Sequence, residues 1–266
     1  MVMMDGITVG LVLPGLFTLA LWWLSTGLIL YLDGLHPRTF RASMGVVTVL
    51  ALCALALTGH AADLSGPSAA YLGFACALTL WGWMELSFLT GWITGPVRQA
   101  APPGCAASAH FVRAVQVVLH HELAIATGAL LLWVLTRDTA DPVALHAYLL
   151  LWVMRVSAKL NLHFGVRNLG DALLPPHLHY LRSYFRQRRM NALWPFSMIG
   201  CLLLTAHLVD GAARAPAGSA EQVSAALLAT LAGLAGLEHL FMMLPVPLDG
   251  LWKWGTRSRA AMRRTG

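Results

Sequence analysis

Residues 70–90, AYLGFACALTLWGWMELSFLT, hold a single carboxylate, Glu85, inside an apolar run that extends from about Ser68 to Thr94. A helix rises about 1.5 Å per residue, so a run of this length crosses the roughly 30 Å hydrocarbon core of a bilayer. The same pattern recurs. Glu122 lies within Val112–Thr136 and Glu238 within Gln222–Leu244, while Val143–Val166 carries Arg155, Lys159, Asn161 and His163. The other nine acidic residues fall at span ends or in connections. An ionisable group in hydrocarbon costs roughly 2.5–3.5 kcal/mol on insertion scales, and such groups usually face one another or a cavity.

Composition extends this reading to the whole chain. Of 266 residues, 58% are hydrophobic and only 11% charged, against about 25% charged in a soluble domain. Mean hydropathy is +0.65. Seven stretches approach spanning length, at about 7–32, 43–62, 68–94, 112–136, 143–166, 192–210 and 222–244. No strand pattern survives beside them, which predicts an all-α polytopic membrane protein of about seven helices. Residues 1–266 form one transmembrane domain without a boundary for a soluble one. Pro14 and Pro195 are expected to kink their helices. The start MVMMDGITVG lacks the basic residues of a secretory signal, so the first span reads as a retained anchor.

Arginine and lysine set the expected orientation. Connections after spans one, three and five hold Arg38, Arg41, Arg98, Arg113, Arg167, Arg182, Arg186, Arg188 and Arg189, and the tail adds Lys253, Arg257, Arg259, Arg263 and Arg264. The opposite side has only Arg137 and Arg214. Positive-inside counting places the N-terminus outside, in the periplasm, and the C-terminus in the cytoplasm. The net charge of +6 then belongs to loops beside anionic lipid headgroups and calls for no nucleic acid. Residues 245–266 read as a basic interfacial tail, with Trp252 and Trp254 among the cations. Four cysteines without a CxxC pair give no disulfide or metal framework.

Topology makes a prediction about depth. Counted from the basic end of each span, Glu85 and His121 lie nine residues in, Arg155 eleven and Glu238 six, or roughly 9–17 Å. Four helices of alternating direction thus place their charged or titratable groups in one layer. Arg155, Lys159 and His163 are spaced by four and share a helix face. His120, His121 and Glu122 diverge by about 100° per residue, so Glu122 is expected to face inward with only one of the two histidines.

Four readings of this layer compete. An ion-pair network would fix helix arrangement without chemistry. A tetrapyrrole site would use an imidazole from His120, His121, His163, His207 or His239 to ligate magnesium, with WW at 22–23 and WGW at 81–83 available to stack on a ring. A metal site would draw on Glu85, His121, Glu122, Glu238 and His239, an inventory suited to iron or zinc. HHEL and LEHL nevertheless lack the Glu-x-x-His order of di-iron bundles, and HExxH is absent. A proton or ion pathway would use the carboxylates, but no inverted repeat supports a transporter. The candidate site residues are Glu85, His120, His121, Glu122, Arg155, Lys159, Asn161, His163, Glu238 and His239.

Several blocks resemble the PuhE family of photosynthetic complex assembly proteins from purple phototrophic bacteria. They are WWLSTGLILYLDGLHPRTFRAS, AYLGFACALTLWGWMELSFLTGWITGP, HHELAI, WVMRVSAKLNLHFGVRNLG, LPPHLHYLRSYF and LEHLFMMLPVPLDGLWKW. They run in order over nearly the whole chain. In the family motif SAKLN is followed by an apolar pair, which makes His163 a departure. The resemblance implies a multi-pass protein of the bacterial inner membrane that assists assembly of reaction-centre or light-harvesting subunits, with bacteriochlorophyll or a precursor as the expected cofactor and a metal ion as the lesser alternative. It supplies no established catalytic residue. The alternatives are a membrane metal-dependent enzyme acting on a pigment or lipid, and a ligand-free interaction subunit.

Overall fold

A computed structural model describes residues 8–64, 66–245 and 248–258. Seven of its helices are long and apolar enough to cross a membrane, as the hydropathy pattern predicts. They are α1 (Leu13–Asp33), α2 (Phe40–Asp63), α3 (Pro67–Leu89), α5 (Leu119–Thr136), α6 (Val143–Phe164), α7 (Leu193–Arg214) and α8 (Ala220–Phe241), and a shorter α4 (Ala107–Gln116) precedes α5. Among the described residues no strand forms, and Val166 and Gln187 make an isolated bridge. Pro14 stands where a π-turn, Thr8–Val12, hands over to α1, and Pro195 lies in the first turn of α7. In the first turn of α7, Pro195 has no intrahelical N–H bond to lose.

α3 and α8 are the central helices, about three-fifths buried over their apolar windows. Small residues make this possible in lipid, where close van der Waals approach replaces the hydrophobic drive. Gly73 of α3 lies against Val143 and Ala144 of α6, and Ala77 and Ala147 belong to the same core. Gly128 of α5 leaves room for the fully buried Tyr148, whose hydroxyl donates to the Ile125 carbonyl at 3.3 Å. α1 packs on α3 and α8, and α7 on α8. The outer face of α7 is left apolar and uncovered, with Phe196, Leu202 and Leu203 outward.

Two span boundaries differ from the hydropathy reading. The third span, read to residue 94, stops as a helix at Leu89, and the stretch read as 112–136 is two helices, not one. Val118 leaves helical geometry at φ −119°, ψ 0°. The chain after α3 turns back against this break, where the Thr94 carbonyl accepts the His121 N–H at 2.8 Å. Apolarity cannot reveal such a break, because Val117 and Val118 are as hydrophobic as the residues around them. α4 instead leaves Phe111, Val112 and Val115 outward, as an interfacial helix does.

Over its described part the tail packs against α1. Trp252 donates to the Trp23 carbonyl at 3.0 Å, Trp23 donates to the Leu251 carbonyl at 3.0 Å, and Ser258 donates to the Tyr31 carbonyl at 2.9 Å. Gly27 makes the approach possible, since a Cβ there would overlap the Trp254 ring. The rest of the expected basic tail, with Arg259, Arg263 and Arg264, lies outside the described residues, as does the segment MVMMDGI at the start.

Gly95 is the tightest point of the α3–α4 connection, because a Cβ there would run into the backbone carbonyls of Gln116 and Val117. Gly95→Ala is expected to destabilise the fold by about 1–3 kcal/mol, read as a lower midpoint of unfolding in detergent. Gly45→Ala, which meets nothing within 4 Å, should leave the midpoint unchanged.

Candidate functional site

Between α1, α3, α6 and α8, in the half of the bundle nearest the basic loops, lies a cavity of about 390 Å³. Ligand sites commonly enclose roughly 300–1,000 Å³. Its walls are largely apolar, including Leu78, Trp81, Leu150, Met154 and Leu231. The connection between α6 and α7 folds over it as a cap, with Leu173, Leu174, Leu181 and Phe185 inward. Arg182, Arg188 and Arg189 on the same segment point out. Tyr184 pins the cap by donating to the Gln99 carbonyl at 2.9 Å. Burial pushes its hydroxyl pKa up, so it keeps its donor proton near neutral pH.

A charged belt crosses this cavity. Glu85 of α3, Arg155 and Lys159 of α6, and Glu238 of α8 all line it. Arg155 forms an ion pair with Glu85, and Lys159 pairs with Glu122 at 2.5 Å. The spacing of four on α6 lets both cations reach in one direction, to α3 and α5. Glu122 sits in the first turn of α5, where the positive end of the helix dipole favours a carboxylate, and the Trp152 indole donates to it at 2.9 Å. The ammonium of Lys159 also lies 5.8 Å from the centre of the Phe88 ring, within cation–π range. Glu238 accepts from the Trp22 indole at 3.0 Å. Trp22 and Trp152 were not legible as carboxylate partners. The available signal was that an indole N–H only donates, so a tryptophan deep in a span seeks an acceptor.

The histidines part company. His121 is 1% exposed, with its ring 4.7 Å from that of Phe88 and neither nitrogen hydrogen-bonded. His120 faces outward, so His121 is the inward member of the pair. His163 lines the cavity near the cap, its ring tilted against that of His110 at 5.2 Å, and its Nδ1 has no partner. His239 and Asn161 belong to a separate network joining α6, α7 and α8. His239 bonds Ser157 through Nε2 and the Ala235 carbonyl through Nδ1, each at 2.8 Å. Asn161 donates to Ser197 at 2.9 Å and receives Asn191 at 3.1 Å. Ser157, Asn191 and Ser197 are nodes of this network that the charge-based reading missed.

The metal set expected from the sequence is therefore dispersed. Among the described residues no three His, Cys, Asp or Glu side chains come together as an ion would require. Glu85 and Glu122 are held by cations, and both nitrogens of His239 are engaged. The depth count also changes. From the helix ends Glu85 lies four residues in, His121 two, Arg155 nine and Glu238 three. The helix ends are not level, and the belt rests on side-chain contacts, not on equal counts.

A family model described as "Protein of unknown function (DUF3623)" matches residues 8–263. A curated relative from Rhodobacter capsulatus, named an uncharacterized 30.4 kDa protein in the puhA 5′ region, is 36% identical over 248 residues. The match covers 91% of this chain and 89% of the relative. No solved structure matches.

Removing one partner of the Glu85–Arg155 pair leaves the other charge uncompensated among apolar helices. Arg155→Met is expected to destabilise the protein by about 3–5 kcal/mol. Adding Glu85→Gln should restore most of that loss, and a double-mutant cycle on detergent unfolding reads the coupling.

Proposed function

The chain belongs to the DUF3623 family, and from that footing we propose that it is an inner-membrane assembly factor for the bacterial photosynthetic complex, holding bacteriochlorophyll or a precursor in its belted cavity. The observation that carries this reading is an apolar cavity crossed by Arg155 and Lys159 and placed in one half of the bundle. Such a shape suits an amphiphilic planar ring with acidic substituents on its rim. The apolar faces of the ring would lie against Trp81 and the leucines, and its carboxyl group would meet Arg155 or Lys159. The Arg155 Nε is buried without a partner, which supports an acceptor arriving from a ligand.

Two further observations support the photosynthetic setting. The sequence blocks are similar to PuhE proteins, and the relative from Rhodobacter capsulatus is named for its place in the puhA 5′ region. The orientation read from the arginines puts the cap on the cytoplasmic side. The bare apolar face of α7 would then meet lipid or the subunits being assembled. A metal-dependent enzyme is the weaker reading, because its expected donors are dispersed.

The test fills the cavity without removing a charge. Ala158 lines the cavity, and Ala158→Phe should insert into the membrane at wild-type levels yet fail to restore photosynthetic complexes in a deletion strain of a phototrophic host. Near-infrared absorbance of the membranes is the readout. Full restoration by Ala158→Phe would refute the cavity reading.

A further inference from the structure

Three exposed arginines, Arg167, Arg188 and Arg189, stand where α6 ends and α7 begins. They come from two segments that the fold joins. The Val166 N–H donates to the Arg186 carbonyl at 3.1 Å, and the Arg188 N–H donates to the Val166 carbonyl at 3.0 Å. Gln187, bridged to Val166, adds a side-chain bond to the Arg167 carbonyl at 3.2 Å. Gly165 lets the segments close up. A Cβ there would overlap the stem of Arg188, and its φ of +119° suits glycine. Arg186, half-buried between the two, adds a fourth cation.

No counter-charge is built beside them. Arg182, on the same connection, pairs with Asp171 at 2.8 Å. Among the described residues, no carboxylate lies within ion-pair distance of Arg167, Arg186, Arg188 or Arg189. Backbone bonds hold these like charges together against their own repulsion, an arrangement that favours an anion from outside. A guanidinium matches the oxygens of a phosphate with two N–H donors at once.

The neighbouring surface says which phosphate. Met190, directly after the arginines, is 54% exposed, and Asn191 then starts α7. Within that helix Phe196, Ile199 and Leu203 are exposed by 72%, 53% and 66%. Spacings of three and four put them on one helix face. A fixed cluster of cations followed by an apolar track into the membrane has the polarity of a phospholipid. A free phosphate would use only the first part, and an acidic peptide would not need the second.

We infer that Arg167, Arg188 and Arg189 form a binding site for an anionic phospholipid, with its phosphate on the arginines and its acyl chains along the Phe196–Ile199–Leu203 face of α7. The site lies outside the belted cavity and does not depend on the pigment reading. It differs from the diffuse attraction of basic loops to headgroups in assigning the affinity to three named residues and one helix face.

The full chain, purified in detergent, would be titrated with phosphatidylglycerol and with phosphatidylcholine of the same acyl chains, and bound lipid followed by native mass spectrometry. Wild type should prefer phosphatidylglycerol. Each arginine near a lipid surface contributes roughly fivefold in affinity, so Arg188→Gln combined with Arg189→Gln should weaken phosphatidylglycerol by about 25-fold and leave phosphatidylcholine unchanged. Arg98→Gln combined with Arg257→Gln removes the same charge from exposed positions elsewhere, and should leave both affinities unchanged. If the Arg188 substitution disturbs the bridge and the protein no longer elutes as a single species, Arg167→Gln combined with Arg189→Gln decides by the same measure, because the stem of Arg188 stays over Gly165. Equal affinity of wild type for the two lipids, an equal loss in the control pair, or displacement of phosphatidylglycerol by equimolar inorganic phosphate would overturn the inference.

Discussion

The need to neutralise carboxylates within hydrocarbon organises the basic half of this bundle. Glu85 on α3 meets Arg155 on α6, and Glu122 on α5 meets Lys159 one turn further along the same helix. α6 therefore serves as the cationic spine to which α3 and α5 are keyed. Such pairs contribute little net stability, because desolvation offsets most of the attraction. Their effect is on arrangement. Sliding α6 by one turn would carry one cation into the other's place and leave one carboxylate and one cation unpaired.

Away from the belt, neutral hydrogen bonds do the corresponding task for α7. Asn191 donates to the Gly165 carbonyl at 2.8 Å, and its Oδ1 accepts from the N–H groups of Leu193 at 2.8 Å and Trp194 at 3.0 Å. One side chain thereby starts α7 and ties it to the end of α6. Ser157, Ser197 and His239 continue the contact toward α8. The division leaves the cavity bordered by charge and the α6–α7–α8 junction closed by neutral groups. One of the two bonds at His239 has its direction set by its partner. The Ala235 carbonyl can only accept, so His239 Nδ1 donates to it.

The tail and the first helix complete the site from the far side. Trp252 donates to the Trp23 carbonyl, Trp23 donates to the Leu251 carbonyl, and Trp252 backs Trp22, which holds Glu238. Within residues 248–258, Trp252 supports Trp22 and through it the cavity wall. The aromatic content of that segment serves packing as much as interfacial anchoring, since an indole has an apolar body and a single donor.

Much of the architecture was open to reading from the chain. Seven spans follow from apolar length alone, because every backbone group in lipid must be paired internally and helices do that within one segment. The selection of Glu85, Glu122, Arg155, Lys159 and Glu238 as interacting groups follows from their cost in hydrocarbon. Pairing did not follow. Nothing in the spacing tells Glu85 to choose Arg155 and Glu122 to choose Lys159, or removes His239 and Asn161 to a separate network. The break at Val118 was hidden because hydropathy is blind to backbone direction. The cap of residues 169–185 was hidden too, since its leucines are short runs between arginines until the chain folds over the cavity. Insertion cost is a property of each residue and its neighbours in sequence. Partner choice and enclosed space depend on which helix faces rotate toward each other, and packing among small residues sets that rotation.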